Sequence, residues 1–139
     1  MFVPESRAFD TLGRRILVAW NSSRPAARAV NDALPLIEGA AQVTVLTVNP
    51  TEFVAPLGAQ PPDRLVEPLR RHGVSVEGAR LHDITVHSTA EALQDHAHHI
   101  GADLLVAGAF GPPSLWEKLL GGVTCDLLAR MKMPILMSH

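Results

Sequence analysis

Residues 101–124 read GADLLVAGAFGPPSLWEKLLGGVT. The apolar run Asp103–Ala107 shows almost no polar alternation, as expected of a parallel strand covered on both faces. Gly108, Gly111 and Gly121 follow it in the spacing G-x2-G-x9-G, and Val123–Met131 has helical character. The glycines therefore fall in a strand-to-helix crossover, the unit from which α/β folds are built. In such a loop glycine lets the backbone approach an anion closely, and the unpaired N–H groups opening the next helix point at it. The same residues also suit a turn that needs positive φ, so the spacing by itself leaves both readings open.

Working outward, strand and helix signals alternate. Arg15–Trp20 reads as a first strand, closed by Asn21–Arg24, with Pro25 at the first position of a helix to Ile37 and Ser22 or Ser23 as its cap. Gln42–Val48 is a second, β-branched strand. Residues 49–62 hold Pro50, Pro56, Gly58, Pro61 and Pro62 and read as a long irregular loop. Asp63–His72 has helical spacing, with Pro68 expected to kink or delay the helix by removing a backbone donor. Val74–Leu81 is a third strand, in which Gly78 marks a bulge or a close approach. Ser88 and Glu91 form a capping box opening a helix that Gly101 ends, and Pro134–His139 is a terminal strand. The pattern predicts a three-layer, doubly wound, five-stranded parallel sheet, Rossmann-like, with any ligand at the carboxyl ends of the first and fourth strands.

Composition narrows the partners. The chain has 139 residues, 47% of them hydrophobic, and a formal charge of −2, with a pI near 6.4. That is enough to bury about two-thirds of the unfolded surface as one domain. Lacking a basic block, it is not expected to bind nucleic acid. No apolar run approaches the roughly 20 residues of a membrane span, and the beginning has no signal-peptide pattern. A cytoplasmic location follows, and the single cysteine, Cys125, suits a reducing compartment.

Three segments together, RRILVAWNSSRPAARAV (14–30), GADLLVAGAFG (101–111) and LLGGVTCDLLARMKMPILMSH (119–139), resemble the universal stress protein family. The resemblance covers residues 14–139, weakly at 50–73, and leaves 1–13 as an N-terminal arm, which also resembles the link between the halves of tandem members. It implies the five-stranded parallel sheet with flanking helices, a role in stress response, and, for many members, ATP binding through G-x2-G-x9-G-[ST]. Carried over onto this chain, it implies a nucleotide site at Trp20, Asn21, Val48, Gly108, Gly111, Gly121, Gly122, Val123 and Thr124, with Mg2+ only alongside the nucleotide. It also implies a homodimer pairing through residues 134–139, with unidentified protein partners.

The chain departs from the family pattern in ways that bear on that site. Asn21 stands where an acidic residue is usual; its amide oxygen still accepts a hydrogen bond but brings no charge. Gly122 replaces the hydroxyl, and Pro112 and Pro113 have no N–H to offer a phosphate. Lys118 or Arg24 is available as a cation. Two functions stand on these residues: a non-catalytic adenine-nucleotide (ATP or AMP) sensor, and a nucleotide-free dimerising adaptor.

Other candidates are weaker. The run His96, His98 and His99 invites a metal, but His96 and His99, which share a helix face, are two imidazoles without a paired carboxylate or cysteine and form an incomplete set, and histidine also suits a helix end. Cys125 reads either as a small core residue or as a partly exposed thiol at a helix start. Trp20 and Trp116 border the crevice. No nucleophile elbow, HExxH or P-loop lysine motif is present, so weak ATP hydrolysis is the most catalysis the sequence suggests.

Overall fold

A computed structural model describes residues 11–48, 63–81, 89–109, 127–130 and 132–138. In chain order these hold β1 (Arg15–Ala19), α1 (Arg24–Gly39), β2 (Gln42–Val48), α2 (Asp63–Arg71), β3 (Val76–Leu81), α3 (Thr89–Ile100), β4 (Leu104–Gly108) and β5 (Ile135–Ser138). The strands form one five-stranded sheet in the order β3-β2-β1-β4-β5, and every neighbouring pair is parallel. The expected architecture is therefore observed.

Burial explains why the central strands have nearly unbroken apolar sequences. Side chains alternate across the pleat, so Ile16 and Val18 join one core with Ala29, Val30, Ala33 and Ile37 of α1 and Val66 and Leu69 of α2. Leu17 and Ala19 point the other way, into a second core with Ala90, Leu93 and Ala97 of α3 and Leu127. Residues 127–130 are helical and are tied to α3 by the Arg130–Glu91 ion pair. Helices thus cover both faces, the three layers the sequence predicts.

Helix ends follow local chemistry. Ser23 caps α1, its Oγ accepting from the Ala26 N–H at 3.2 Å. At the end of α3, Gly101 takes φ +67°, its N–H donates to the His98 carbonyl at 3.1 Å, and Ala102 N–H donates to Ala97 at 2.8 Å. That pair of bonds is a Schellman cap. α2 ends the same way: Gly73 has φ +79° and Val74 N–H reaches back to the Leu69 carbonyl at 3.2 Å. Val74 is committed to that cap, so β3 starts at Val76 rather than at Val74.

Two further expectations need correction. Pro68 lies inside α2 without delaying it, and Pro35 lies inside α1. Both are exposed, and Asn31, whose carbonyl Pro35 leaves without a helical donor, is exposed too, so water can serve it. Gly78 marks no bulge, because the β2–β3 register runs unbroken from Val43↔Val76 through Val45↔Gly78 to Val48↔Leu81. A side chain at Gly78 would make ordinary contact with Val66 Cγ2 at 3.6 Å.

Candidate functional site

β1 is bonded to β2 on one side and to β4 on the other. The chain leaves β1 toward β2 and later returns to β1's opposite side, so the topological switch falls between β1 and β4, where open α/β sheets bind ligands beyond their carboxyl ends. The described residues there are Trp20–Arg24, Val48, Gly108, Ala109 and Ser138. Gly111, Gly121, Gly122, Val123 and Thr124 lie outside the described residues, as do Pro112, Pro113, Trp116, Lys118 and Cys125.

Gly108 is the last residue of β4 rather than a loop residue. A Cβ built on it would lie 2.6 Å from the Pro25 carbonyl carbon, 2.8 Å from Ala26 Cα, and closer still to the Ala26 nitrogen. No side chain fits such a space. Glycine here lets the end of β4 touch the first turn of α1, and this contact alone accounts for the residue. The small residues Ala26, Ala29 and Ala33, all buried, continue the close approach along α1.

The β1–α1 turn is closed on itself. Asn21 Oδ1 accepts from the Ser23 N–H at 3.1 Å and from the Ser23 hydroxyl at 2.6 Å, while the same hydroxyl oxygen accepts from Ala26 N–H. Both lone pairs of the Asn21 amide oxygen are engaged, so what this residue can offer a ligand is its NH2. Ser22 holds φ +59°, the left-handed region that non-glycine residues rarely take, where the strand turns into the helix. The first turn of α1 has little left for an anion, since Pro25 has no N–H, Ala26 N–H is on Ser23 Oγ, and Ala27 N–H is on the Ser23 carbonyl at 3.0 Å.

Trp20 N–H donates to the Leu46 carbonyl at 2.9 Å, and its half-buried side chain packs on the α1–α2 core. Val48, half-buried, packs on the α3 core. Arg24 is exposed at the start of α1. None of the described residues at this end is a carboxylate, the usual protein ligand of Mg2+.

The histidines do not converge on a metal set. Among the described residues no group of three or more His, Cys, Asp or Glu side chains is placed to hold an ion. His98 and His99 are exposed and His96 is half-buried. The His96 imidazole is pushed below its ordinary value near 6.5, first by burial and then by His99, with Glu77 pulling the other way.

Residues 13–139 match the sequence profile of the universal stress protein family. The chain belongs to that family. Among solved structures, the universal stress protein from Archaeoglobus fulgidus aligns with 90% of this chain and 98% of its own at 21% identity, with a TM-score of 0.65. A universal stress protein in complex with cAMP aligns at 20% identity and TM-score 0.65, covering 91% of this chain and 97% of its own. The Archaeoglobus fulgidus protein in complex with dAMP aligns at 19% identity and TM-score 0.58, covering 90% and 97%. At these identities the likeness is one of fold. No curated protein matches the chain in sequence. No helix among the described residues is long and apolar enough to cross a membrane.

Within this universal stress protein domain, two features of the site escaped sequence reasoning. The packing role of Gly108 had one local hint, the small residues Ala26, Ala29 and Ala33, which mark a helix face built for close approach. The engagement of Asn21 had another, the Asn-x-Ser spacing of an Asx turn ahead of a helix.

Proposed function

We propose that this chain is a non-catalytic sensor of an adenine nucleotide, acting in the stress response as a cytoplasmic homodimer. The observation that carries this reading is the switch-point crevice between β1 and β4, from which the chain runs into G-x2-G-x9-G. Solved relatives of the same fold hold cAMP and dAMP. The site residues are Trp20, Asn21, Val48, Gly108, Gly111, Gly121, Gly122, Val123 and Thr124, in a domain of residues 14–139. Gly108 contributes by bringing β4 against α1, and Asn21 through its NH2.

The chain's departures favour a single phosphate over three. The first turn of α1 has few open donors, Pro112 and Pro113 have none, Gly122 has no hydroxyl, and the described crevice holds no carboxylate for Mg2+. Each charge-assisted contact missing from a triphosphate weakens it about tenfold or more. Calorimetry with AMP, ADP and ATP, with and without Mg2+, tests the reading. Saturable binding with AMP tightest, and at least a tenfold loss in Gly111→Leu, is the expected result. No heat with any nucleotide to about 1 mM, a level that only very weak sites fail to reach, would sink it.

A second reading rests on Gly108. Packing accounts for that glycine without any ligand, as expected of a member that has become a dimerising adaptor. The dimer in either reading pairs the terminal strand of two copies: β5 is an edge strand, with Leu136 and Met137 half-buried in the single chain. A monomer in light scattering at micromolar concentration would remove that part.

A further inference from the structure

The opposite end of the sheet holds a cleft that the family reading does not use. The amino ends of β1 and β2, with β3 and the last turn of α3, enclose about 330 Å3 between Arg15, Ile16, Gln42, Thr44, Glu77 and Ile100. That is at the lower end of the range for small-ligand sites, about 300–1,000 Å3. Strand register assembles it, for Arg15 stands opposite Gln42 and Thr44 opposite Glu77.

Its two charges are held apart. Arg15 Nη1 donates to the Ile100 carbonyl at the end of α3 at 3.2 Å, which fixes the guanidinium on one side and uses one of its five N–H donors. Glu77 is anchored on the other side by Thr44, itself only 2% exposed, whose hydroxyl donates to Glu77 Oε1 at 3.3 Å. Gln42 uses its amide oxygen on the Ser75 hydroxyl at 2.8 Å, which leaves its NH2. Arg15 and Glu77 make no ion pair with each other, and Ile100, at the end of α3, supplies an apolar surface on the same face of the sheet, whereas the Ile16 side chain lies in the core on the other face.

A phosphate or simple carboxylate would satisfy Arg15 while meeting repulsion from Glu77, and a simple amine would do the reverse. The complement is a molecule with both charges on a short frame. We propose that this cleft binds a small zwitterion of the free α-amino acid class, its carboxylate on Arg15, its ammonium on Glu77 and its side chain against Ile100. This site is independent of the nucleotide reading and lies at the other end of the strands.

The test titrates the full chain with glycine, serine, glutamate and lysine singly, by calorimetry and two-dimensional amide NMR. Propionate and propylamine serve as single-charge controls. The expected result is saturable binding of at least one amino acid, with shifts at Gln42, Thr44, Glu77 and Ile100, and controls at least about tenfold weaker. Glu77→Gln and Arg15→Gln should each weaken it about tenfold or more with AMP titrations unchanged. Should Arg15→Gln fail to fold, the wild-type shift map and Glu77→Gln decide. The proposal is overturned if no amino acid saturates below about 10 mM, if either control binds as tightly, or if the shifts fall on Asn21 and Gly108 instead.

Discussion

The two ends of the sheet are organised on opposite principles. At the carboxyl end, the described side chains of β1, β2 and β4 carry no charge, and the polar groups of the turn, Asn21 and Ser23, bond to each other and to the first turn of α1. Arg24, just inside the helix, is the exception. At the amino end a carboxylate is built into the backbone frame. Asp103 Oδ2 and Oδ1 accept the N–H groups of Arg14 and Arg15 at 3.1 and 3.0 Å, and Asp103 N–H returns to the Arg15 carbonyl at 2.9 Å. The Arg14 carbonyl, in turn, accepts from Ala41 N–H at 2.8 Å. The amino end is tied together through one carboxylate and two carbonyls, and Arg15 and Glu77 still make no ion pair there. One end achieves closeness by omitting side chains, the other achieves order by charge.

If closeness matters more, the largest effect comes from Gly108→Val. The new side chain collides with backbone rather than with a movable group, and loss of about 3 kcal/mol or more is expected in urea denaturation, or no folded protein at all. A loss below about 1 kcal/mol would mean that α1 slides away easily and would return Gly108 to a purely ligand-binding role.

Next in size is Asp103→Ala, which strands two backbone donors at the other end. A cost of about 1.5–3 kcal/mol is expected by the same measurement. A near-zero effect would show that water replaces the carboxylate and that charge does not order that end. Ser23→Ala should cost about 1 kcal/mol, since it removes the acceptor of Ala26 N–H. It also leaves Asn21 without its hydroxyl donor, so it sharpens the comparison further: AMP affinity should change if Asn21 reorients and stay constant if the turn is rigid.

The smallest effect is that of pH through His96. Its pKa is depressed in the folded chain, so between the folded value and 6.5 the unfolded chain holds more protons. Stability is therefore full above 6.5 and falls as pH drops through that window. Denaturation midpoints at pH about 7.5 and about 5.5 should differ less in His96→Gln than in the parent chain. An equal pH dependence in both would assign the effect to other groups.

Much of this was legible in local sequence. β2 was found at its observed limits, β1 one residue too long, and Gly101 was identified as the stop of α3, because apolar runs, β-branching and a glycine cap act over a few residues. The start of β3 was misread because Val74 belongs to a helix cap whose partner, Leu69, is apolar like a strand residue. Pro68 does not delay α2, because its effect depends on which face of the helix it occupies. Gly108 reads from sequence as a loop residue for a ligand because the contact that explains it, from β4 to α1, joins residues more than eighty positions apart, and the small residues of α1 hint at a close approach without naming its partner. The amino-end cleft escaped notice for a related reason: Thr44 and Glu77 meet only through strand register.

The fit of Gly108 against Pro25 and Ala26 bears on how descent would be traced in chains like this one. A lineage that abandoned its ligand would stay under the same steric selection at this position, so the first glycine of the motif would persist as a relic of architecture. It is a poor witness to function.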